Sequence, residues 1–144
     1  MRWLHRSLLA VCLCLGLSGI TLADTVTYDA LGSALNNTAT STANVSVTIG
    51  SNSNRVLICY VDMTGIAQSV SSIVWNTSEN LTFIGGRSFI TVSRGEWWGL
   101  IAPSTGAHTA AVTLSGVNAS WDANCISALL LTTLSSCLED LLKK

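Results

Sequence analysis

The chain has 144 residues and a formal net charge of −1, and only 10% of its residues are charged. Its few lysines and arginines are scattered, which argues against binding to nucleic acid or to an anionic membrane surface, because both depend on clustered basic side chains. Hydrophobic residues make up 49% of the sequence, enough for one buried core in a chain of this length.

The N-terminal segment has the parts of an export signal. Arg2 and Arg6 precede a mainly apolar run, residues 7–20, and the small residue Ala23 stands before a suitable cleavage point. We therefore predict a signal peptide over residues 1–23 with cleavage after Ala23. The mature protein would then be secreted or held at the cell surface.

Two other interpretations of this segment remain open. Residues 7–23 are near the lower length limit of a membrane-spanning helix, although glycine and serine interrupt the end of the run. Cys12 and Cys14 would be needed for a lipoprotein signal, but Val11 stands where a small residue is required. We favour cleavage, after which no membrane attachment is expected.

The mature chain is long enough for a single domain. Removal of the 23 signal residues leaves 121, with five basic and eight acidic side chains and thus a net charge of −3. We expect a β-domain over residues 24–132, followed by a short helix over residues 133–144.

Strand patterns fill most of this domain. Short alternating or apolar segments rich in Val, Ile, Thr, Trp and Tyr are separated by turn-forming residues. The pattern predicts strands over residues 25–29, 43–49, 55–63, 70–76, 81–85, 89–93, 96–102, 107–115 and 121–131. A polar segment, residues 34–43, is predicted as a long loop. Because no crossover helix lies between strands, we predict an all-β fold, a two-sheet antiparallel β-sandwich of the immunoglobulin-like or jelly-roll kind.

The pattern changes after residue 131, where leucines recur at helical spacing, at Leu134, Leu138, Leu141 and Leu142. Ser136 and Glu139 fit a capping box, and lysines follow at the end, as a helix C-terminus favours. A helix this short is unstable alone, so its leucines must pack on the sandwich or on a partner.

Three cysteines remain after signal cleavage, Cys59, Cys125 and Cys137. In an oxidising compartment two of them can pair. We favour a disulfide between Cys59 and Cys125, since both fall in predicted strands and can face one core. The alternative is that all three are small apolar core residues.

A longer motif, EWWGLIAPSTGAHTAAVTLSG, occupies residues 96–116. It resembles a recurrent β-sandwich domain of secreted and surface proteins of bacteria and their phages, in which a strand ending in L-x-A-P-x-T-G turns into a strand H-T-x-x-V-T-L-S-G. Residues 54–57 and 70–76 match the same pattern, so the resemblance covers residues 45–127, beyond which the leucine-rich end departs from it. The resemblance implies an immunoglobulin-like or jelly-roll module of a surface protein, without catalytic residues to carry over.

Candidate catalytic and metal-binding groups are few. His108 is the single histidine of the mature chain, and only Ser104 or Thr105 could approach it as a nucleophile. The spacings typical of structural zinc and EF-hand calcium are missing from the sequence. We therefore assign no catalytic residue and no metal ligand, and we expect no cofactor.

A glycoside hydrolase would need a pair of carboxylates. Glu79, Glu96 and Asp122 are the candidates, but no motif joins an acid to a nucleophile among them. Hydrolysis is therefore the least favoured function.

The adjacent tryptophans indicate a function more specifically than the histidine or the carboxylates do. Trp97 and Trp98 follow each other in a predicted strand, so their side chains point to opposite faces. Trp98 has the parity of the apolar residues, whereas Trp97 shares parity with Gly95 and Gly99 and is expected to face outward. An exposed indole can stack on the apolar face of a sugar ring, with Glu96 beside it. The alternative is that Trp97 only covers cross-strand glycines.

These features predict an exported, non-catalytic β-sandwich that acts in surface recognition or adhesion. The expected ligand is an extracellular glycan, with Trp97 and Glu96 as its contact residues. The second hypothesis is a structural subunit that self-associates by exchanging its first strand. Neither nucleic acid nor, after signal cleavage, a membrane is an expected partner.

Overall fold

The computed structural model describes residues 26–36 and 39–129. The predicted signal peptide with its cleavage site after Ala23 and the predicted helix over residues 133–144 lie outside the described residues. In the described part, the chain forms strands and turns without a helix, and so no helix there could cross a membrane.

The described residues form nine strands. They are β1 (Thr27–Asn36), β2 (Thr40–Ile49), β3 (Arg55–Thr64), β4 (Val70–Trp75), β5 (Glu79–Asn80), β6 (Thr82–Phe89), β7 (Ser93–Ile101), β8 (Gly106–Asn118) and β9 (Trp121–Leu129).

The strands form two antiparallel sheets that pack against each other. Sheet A has the order β1-β9-β3-β7-β6, and sheet B has the order β2-β8-β4-β5. The pairing is nested, because β1 pairs with β9, β2 with β8, β3 with β7 and β4 with β5. The two halves of the chain therefore run side by side like the arms of one long hairpin. This confirms the predicted all-β fold of two packed antiparallel sheets.

The core lies between the sheets and is built from alternate residues of the strands, as period-two burial requires. Its members are Val45, Val47, Ile49, Leu57, Cys59, Val61, Met63, Val70, Ile73, Trp75, Leu81, Ala110, Val112, Leu114, Trp121, Ala123 and Cys125. The two buried indoles have partners for their N–H groups: Trp75 Nε1 donates to Ser104 O at 3.1 Å, and Trp121 Nε1 donates to Thr40 O at 3.2 Å.

Cys59 and Cys125, the pair favoured from the sequence, form a disulfide within this core. They are directly opposed on β3 and β9, with their Cα atoms 4.1 Å apart. The bridge therefore joins neighbouring strands of one sheet, whereas the disulfide of antibody domains joins the two sheets. It links residues 66 positions apart in the sequence. The closed loop reduces the number of conformations open to the unfolded chain and so stabilises the folded state.

The prediction of a long loop over residues 34–43 is wrong. β1 continues to Asn36, and β2 already begins at Thr40. Thr42 and Asn44 are exposed, while Ala43 packs against the core. The polar composition of this segment therefore belongs to the solvent face of an edge strand.

The prediction of a strand over residues 89–93 is also wrong. Phe89 pairs with Ser93, so the residues between them form the turn of the β6–β7 hairpin. Gly85 and Gly86, where the predicted strand over residues 81–85 ends, lie inside β6, next to a bulge between Phe83 and Gly85. Glycines usually mark turns and apolar residues usually mark strands. In this segment the apolar residues occupy the turn and the glycines occupy the strand, so the predicted boundaries were misplaced.

Replacement of both Cys59 and Cys125 by alanine should lower the free energy of unfolding by about 2–5 kcal/mol, because the unfolded chain regains the conformations that the bridge forbids. Urea denaturation of the mature protein measures this loss. Cys137→Ser is the control and should leave stability unchanged. A loss of similar size in the control would contradict the assignment of the bridge.

Candidate functional site

The candidate site lies on the outer face of sheet A, where alternate side chains point away from sheet B. The strand registers arrange these residues in four rows across the sheet. The first two rows, named the apolar end, are Tyr28, Ala128, Val56 and Ile101, then Leu31, Ile126, Ile58 and Gly99. The next two, named the aromatic-acidic end, are Ser33, Asn124, Tyr60, Trp97 and Gly85, then Asp122, Asp62, Gly95 and Arg87. The face thus changes along the strands from apolar to aromatic and charged.

Trp97 stands at the centre of the aromatic-acidic end. Its side chain points outward and is 48% exposed. Tyr60 is its direct partner on β3, and the two rings lie with centroids 4.5 Å apart at an angle of 38°. Together the two rings form an aromatic platform on the surface of the sheet.

Glycines shape the surroundings of this platform. A Cβ atom at Gly95 would lie 2.3 Å from the Tyr60 hydroxyl oxygen, so only glycine lets the Tyr60 side chain lie across β7. Gly85 is the partner of Trp97 on β6, and a Cβ there would meet no atom within 4 Å. The surface beside the indole is therefore open backbone, which leaves room for a ligand to lie flat.

Polar groups border the platform on one side. Asp62 and Asp122 are directly opposed on β3 and β9. The side-chain amide of Asn124 donates to Asp122 Oδ2 at 2.9 Å. Ionised carboxylates only accept hydrogen bonds, and each can accept several. This row therefore offers acceptors for hydroxyl or amine donors of a ligand.

Tyr60 is linked to these carboxylates electrostatically. Burial raises the pKa of its phenol, and the charges of Asp62 and then Asp122 raise it further, together with a hydrogen bond to Asp62. The phenol therefore stays protonated and able to donate over the physiological pH range. Local sequence patterns contain no sign of this role, because Tyr60, Asp62 and Asp122 meet only through strand register.

Glu96, predicted as a ligand contact, is instead an interior residue. It is 2% exposed and lies on the opposite side of β7 from Trp97. Its carboxylate accepts from Arg94 Nε at 2.5 Å, from Trp98 Nε1 at 3.2 Å and from the Val70 backbone N–H at 3.3 Å. Since Val70 begins β4 in sheet B, Glu96 ties the two sheets together. It cannot touch a ligand that lies on Trp97.

The three carboxylates considered for hydrolysis do not come together. Glu79 binds the hydroxyl and backbone N–H of Ser104 at 2.5 and 3.2 Å, at the edge of sheet B. Glu96 is between the sheets, and Asp122 is on the outer face of sheet A.

His108 does not form a catalytic pair with Ser104. Its Nε2 lies 3.0 Å from Thr105 O, and its ring packs edge-on against Trp75 with centroids 5.6 Å apart. His108 also lines a groove of about 490 Å³ between β1 and β2, away from Trp97. Within residues 26–36 and 39–129, no three His, Cys, Asp or Glu side chains are grouped as metal ligands.

Comparison with protein-family models, with curated proteins and with solved structures gives no match. The geometry of the outer face of sheet A is therefore the basis for assigning a function.

Glu96→Ala should lower the free energy of unfolding by about 2–3 kcal/mol, because the Trp98 and Val70 N–H groups lose their buried acceptor. Glu96→Gln keeps one acceptor oxygen and should cost about 1 kcal/mol. Urea denaturation measures both. Equal, negligible losses would contradict the role of Glu96 as a link between the sheets.

The phenol of Tyr60 should titrate above the ordinary value of about 10. In a Tyr28→Phe background Tyr60 is the only tyrosine, so the ultraviolet absorbance of phenolate reports it alone. Asp62→Asn should lower the titration midpoint, and a midpoint that does not move would contradict the link.

The same pKa shift predicts how stability depends on pH. Because the folded protein holds the Tyr60 proton to higher pH than the unfolded chain does, the stabilisation is complete below about pH 10 and is lost as pH rises through the folded pKa. Urea denaturation across this range measures the free energy of unfolding, which should fall more steeply with pH in the Tyr28→Phe variant than in the double variant Tyr28→Phe, Tyr60→Phe. The same dependence on pH in both variants would contradict the raised pKa of Tyr60.

Proposed function

We propose that this protein is an exported, non-catalytic β-sandwich that binds a glycan on the outer face of sheet A, in surface recognition or adhesion. The observation that carries the proposal is the platform of Trp97 and Tyr60, which has open glycine backbone on one side and paired carboxylates on another. Exposed aromatic side chains grouped on a surface mark interaction sites more often than scattered ones do.

The chemistry of this surface fits a sugar. The apolar C–H face of a pyranose ring can stack on the indole of Trp97. Its hydroxyl groups can then donate to the carboxylates of Asp62 and Asp122 and pair with the amide of Asn124. Two carboxylates in one row repel further negative charge. A neutral, hydroxyl-rich glycan is therefore the favoured ligand over a sulfated or uronic one.

The strand order supports a jelly roll over an immunoglobulin-like sandwich. Nested pairing from the first and last strands inward is what a hairpin rolled into two sheets produces, and the β6–β7 hairpin adds one edge strand to it. Jelly rolls occur in lectin domains, although a fold alone does not fix a function.

Export is supported by two independent features. The N-terminal segment has the composition of a signal peptide cleaved after Ala23. The Cys59–Cys125 disulfide is of a kind that persists in oxidising compartments outside the cytosol.

The structural-subunit hypothesis receives less support from the packing of β1. This strand pairs with β9 of its own chain from Thr27 to Asn36. It also crosses β2 at Gly32, where a Cβ would lie 2.1 Å from Ser46 O. Exchange of β1 between molecules would require both contacts to be broken and formed again.

Trp97→Ala should lower affinity for the bound glycan at least tenfold, because the stacking surface is lost, while stability should fall by no more than about 1.5 kcal/mol. Glycan arrays that include neutral, uronic and sulfated polysaccharides, followed by titration calorimetry, measure the affinity. Phe89→Ala is the matched control, since Phe89 is 51% exposed at the end of β6, and its affinity should not change.

Two results would contradict the proposal. The first is a wild-type protein that binds no glycan on the array. The second is a Trp97→Ala variant that binds normally or loses several kcal/mol of stability, which would assign Trp97 a structural role in covering the glycines of the sheet.

A further inference from the structure

We infer that the turn between β6 and β7 inserts into the surface of a neutral phospholipid membrane. The turn presents Phe89, Ile90 and Val92, and Ile66 of the β3–β4 loop lies beside it; these four side chains are named the apolar tip. The inference concerns a different part of the molecule from the glycan platform and does not depend on it.

The apolar tip groups large hydrophobic side chains in solvent. Ile90 is 87% exposed, Val92 67%, Phe89 51% and Ile66 42%. The two loops are joined, because the backbone N–H of Gly65 donates to Val92 O at 2.6 Å. Residues 88–93, with the sequence SFITVS, carry no charged side chain. Exposed apolar side chains that are grouped in this way mark a surface that meets a partner or a membrane.

The backbone of Ile90 gives a second, independent indication. Its φ is 52°, a left-handed conformation that glycine, asparagine and aspartate adopt in turns and that β-branched residues rarely do. The turn is closed by the Val92 N–H, which donates to Phe89 O at 3.0 Å. Isoleucine at this position costs stability, and its high exposure returns little packing energy. Backbone strain without a gain in packing indicates that the side chain has a function.

The size and form of the tip favour a membrane over a second copy of the chain. The four side chains together expose a few hundred Å², whereas a specific protein interface buries about 800 Å² on each partner. The tip is also the end of a hairpin and not a groove, so it offers no cavity for a side chain of a partner. A lipid surface needs no such cavity, because binding to it increases with the apolar area that is inserted.

Arg87 borders the tip on the same face of β6 as Phe89. Its guanidinium carbon lies 5.4 Å from the centroid of the Phe89 ring. An arginine in this position keeps its aliphatic stem among apolar groups, while its charged end can donate to the phosphate of a lipid headgroup. The other nearby arginine, Arg94, is paired with Glu96. One arginine at the border suits a zwitterionic lipid, since an anionic surface attracts clusters of basic residues.

The fold explains why this site was not expected from the sequence, which predicted no membrane partner because its basic residues are scattered. The tip needs no basic cluster, and backbone pairing between two separate loops assembles it. Apolar elements in the membrane interface reach about 5–10 Å into it. Trp97 lies four residues along β7 from Ser93, about 13 Å, so the glycan platform would stay in water.

Co-sedimentation of the mature protein with vesicles of phosphatidylcholine tests the inference. The wild type should bind. Ile90→Asn removes the apolar side chain and suits the left-handed backbone, so it should lower vesicle affinity at least tenfold without loss of thermal stability. Phe89→Ala should also weaken vesicle binding, whereas Trp97→Ala should not. The matched control is Leu31→Ala, because Leu31 is 60% exposed on β1 at the apolar end of sheet A, and its vesicle affinity should equal that of the wild type.

Four results would overturn the inference. They are a wild-type protein that does not bind the vesicles, an Ile90→Asn variant that binds them equally well, an equal loss of binding in Leu31→Ala, and a wild-type oligomer that Ile90→Asn converts to a monomer. The last result, measured by light scattering, would assign the tip to a second copy of the chain. Because the vesicles carry no glycan, a failure here is distinct from a failure of glycan binding.

Discussion

The register between β3 and β9 is the constraint on which the rest of the structure depends. Cys59 opposes Cys125 in the core, and their covalent bond holds the two central strands of sheet A in one alignment. Because side chains alternate between faces, a slip of one residue would turn Tyr60 and Asn124 inward and core residues outward. β3 also pairs with β7, and the register of that second pairing sets Tyr60 beside Trp97. The disulfide thus holds the core alignment and the Asp62–Asp122 pair of the candidate site, while the β3–β7 pairing adds Trp97 to it.

Three consecutive residues of β7 alternate between the interior and the outer face of sheet A. Glu96 and Trp98 face the interior, where the carboxylate joins Trp98 Nε1 and the Val70 backbone of the opposite sheet. Trp97 faces solvent between them and contacts Tyr60 on its own sheet. Removing the Trp97 side chain therefore leaves the link between the sheets intact.

Local periodicity was enough to predict part of this arrangement. It placed most strands, set Trp97 and Trp98 on opposite faces, and selected Cys59 and Cys125 as the pair that shares a core. It failed where composition and position disagree: Ile90, a β-branched residue, occupies the β6–β7 turn at a φ of 52°, a conformation such residues rarely adopt. The partnership of Tyr60, Asp62 and Asp122 depends on pairing between distant strands, for which one sequence contains no local signal.

The opposed Asp62 and Asp122 connect the stability of the fold to the proposed binding of a glycan. Like charges directly opposed on adjacent strands are destabilising. The contacts of Asn124 with Asp122 and of Tyr60 with Asp62 offset part of this repulsion. Each carboxylate can accept more hydrogen bonds than these contacts supply, and donors from a ligand would offset more of it. Since a ligand that binds only the folded state stabilises it, the proposed glycan would restore stability that the acidic row costs in the free protein. The acidic row is therefore consistent with the proposed recognition role.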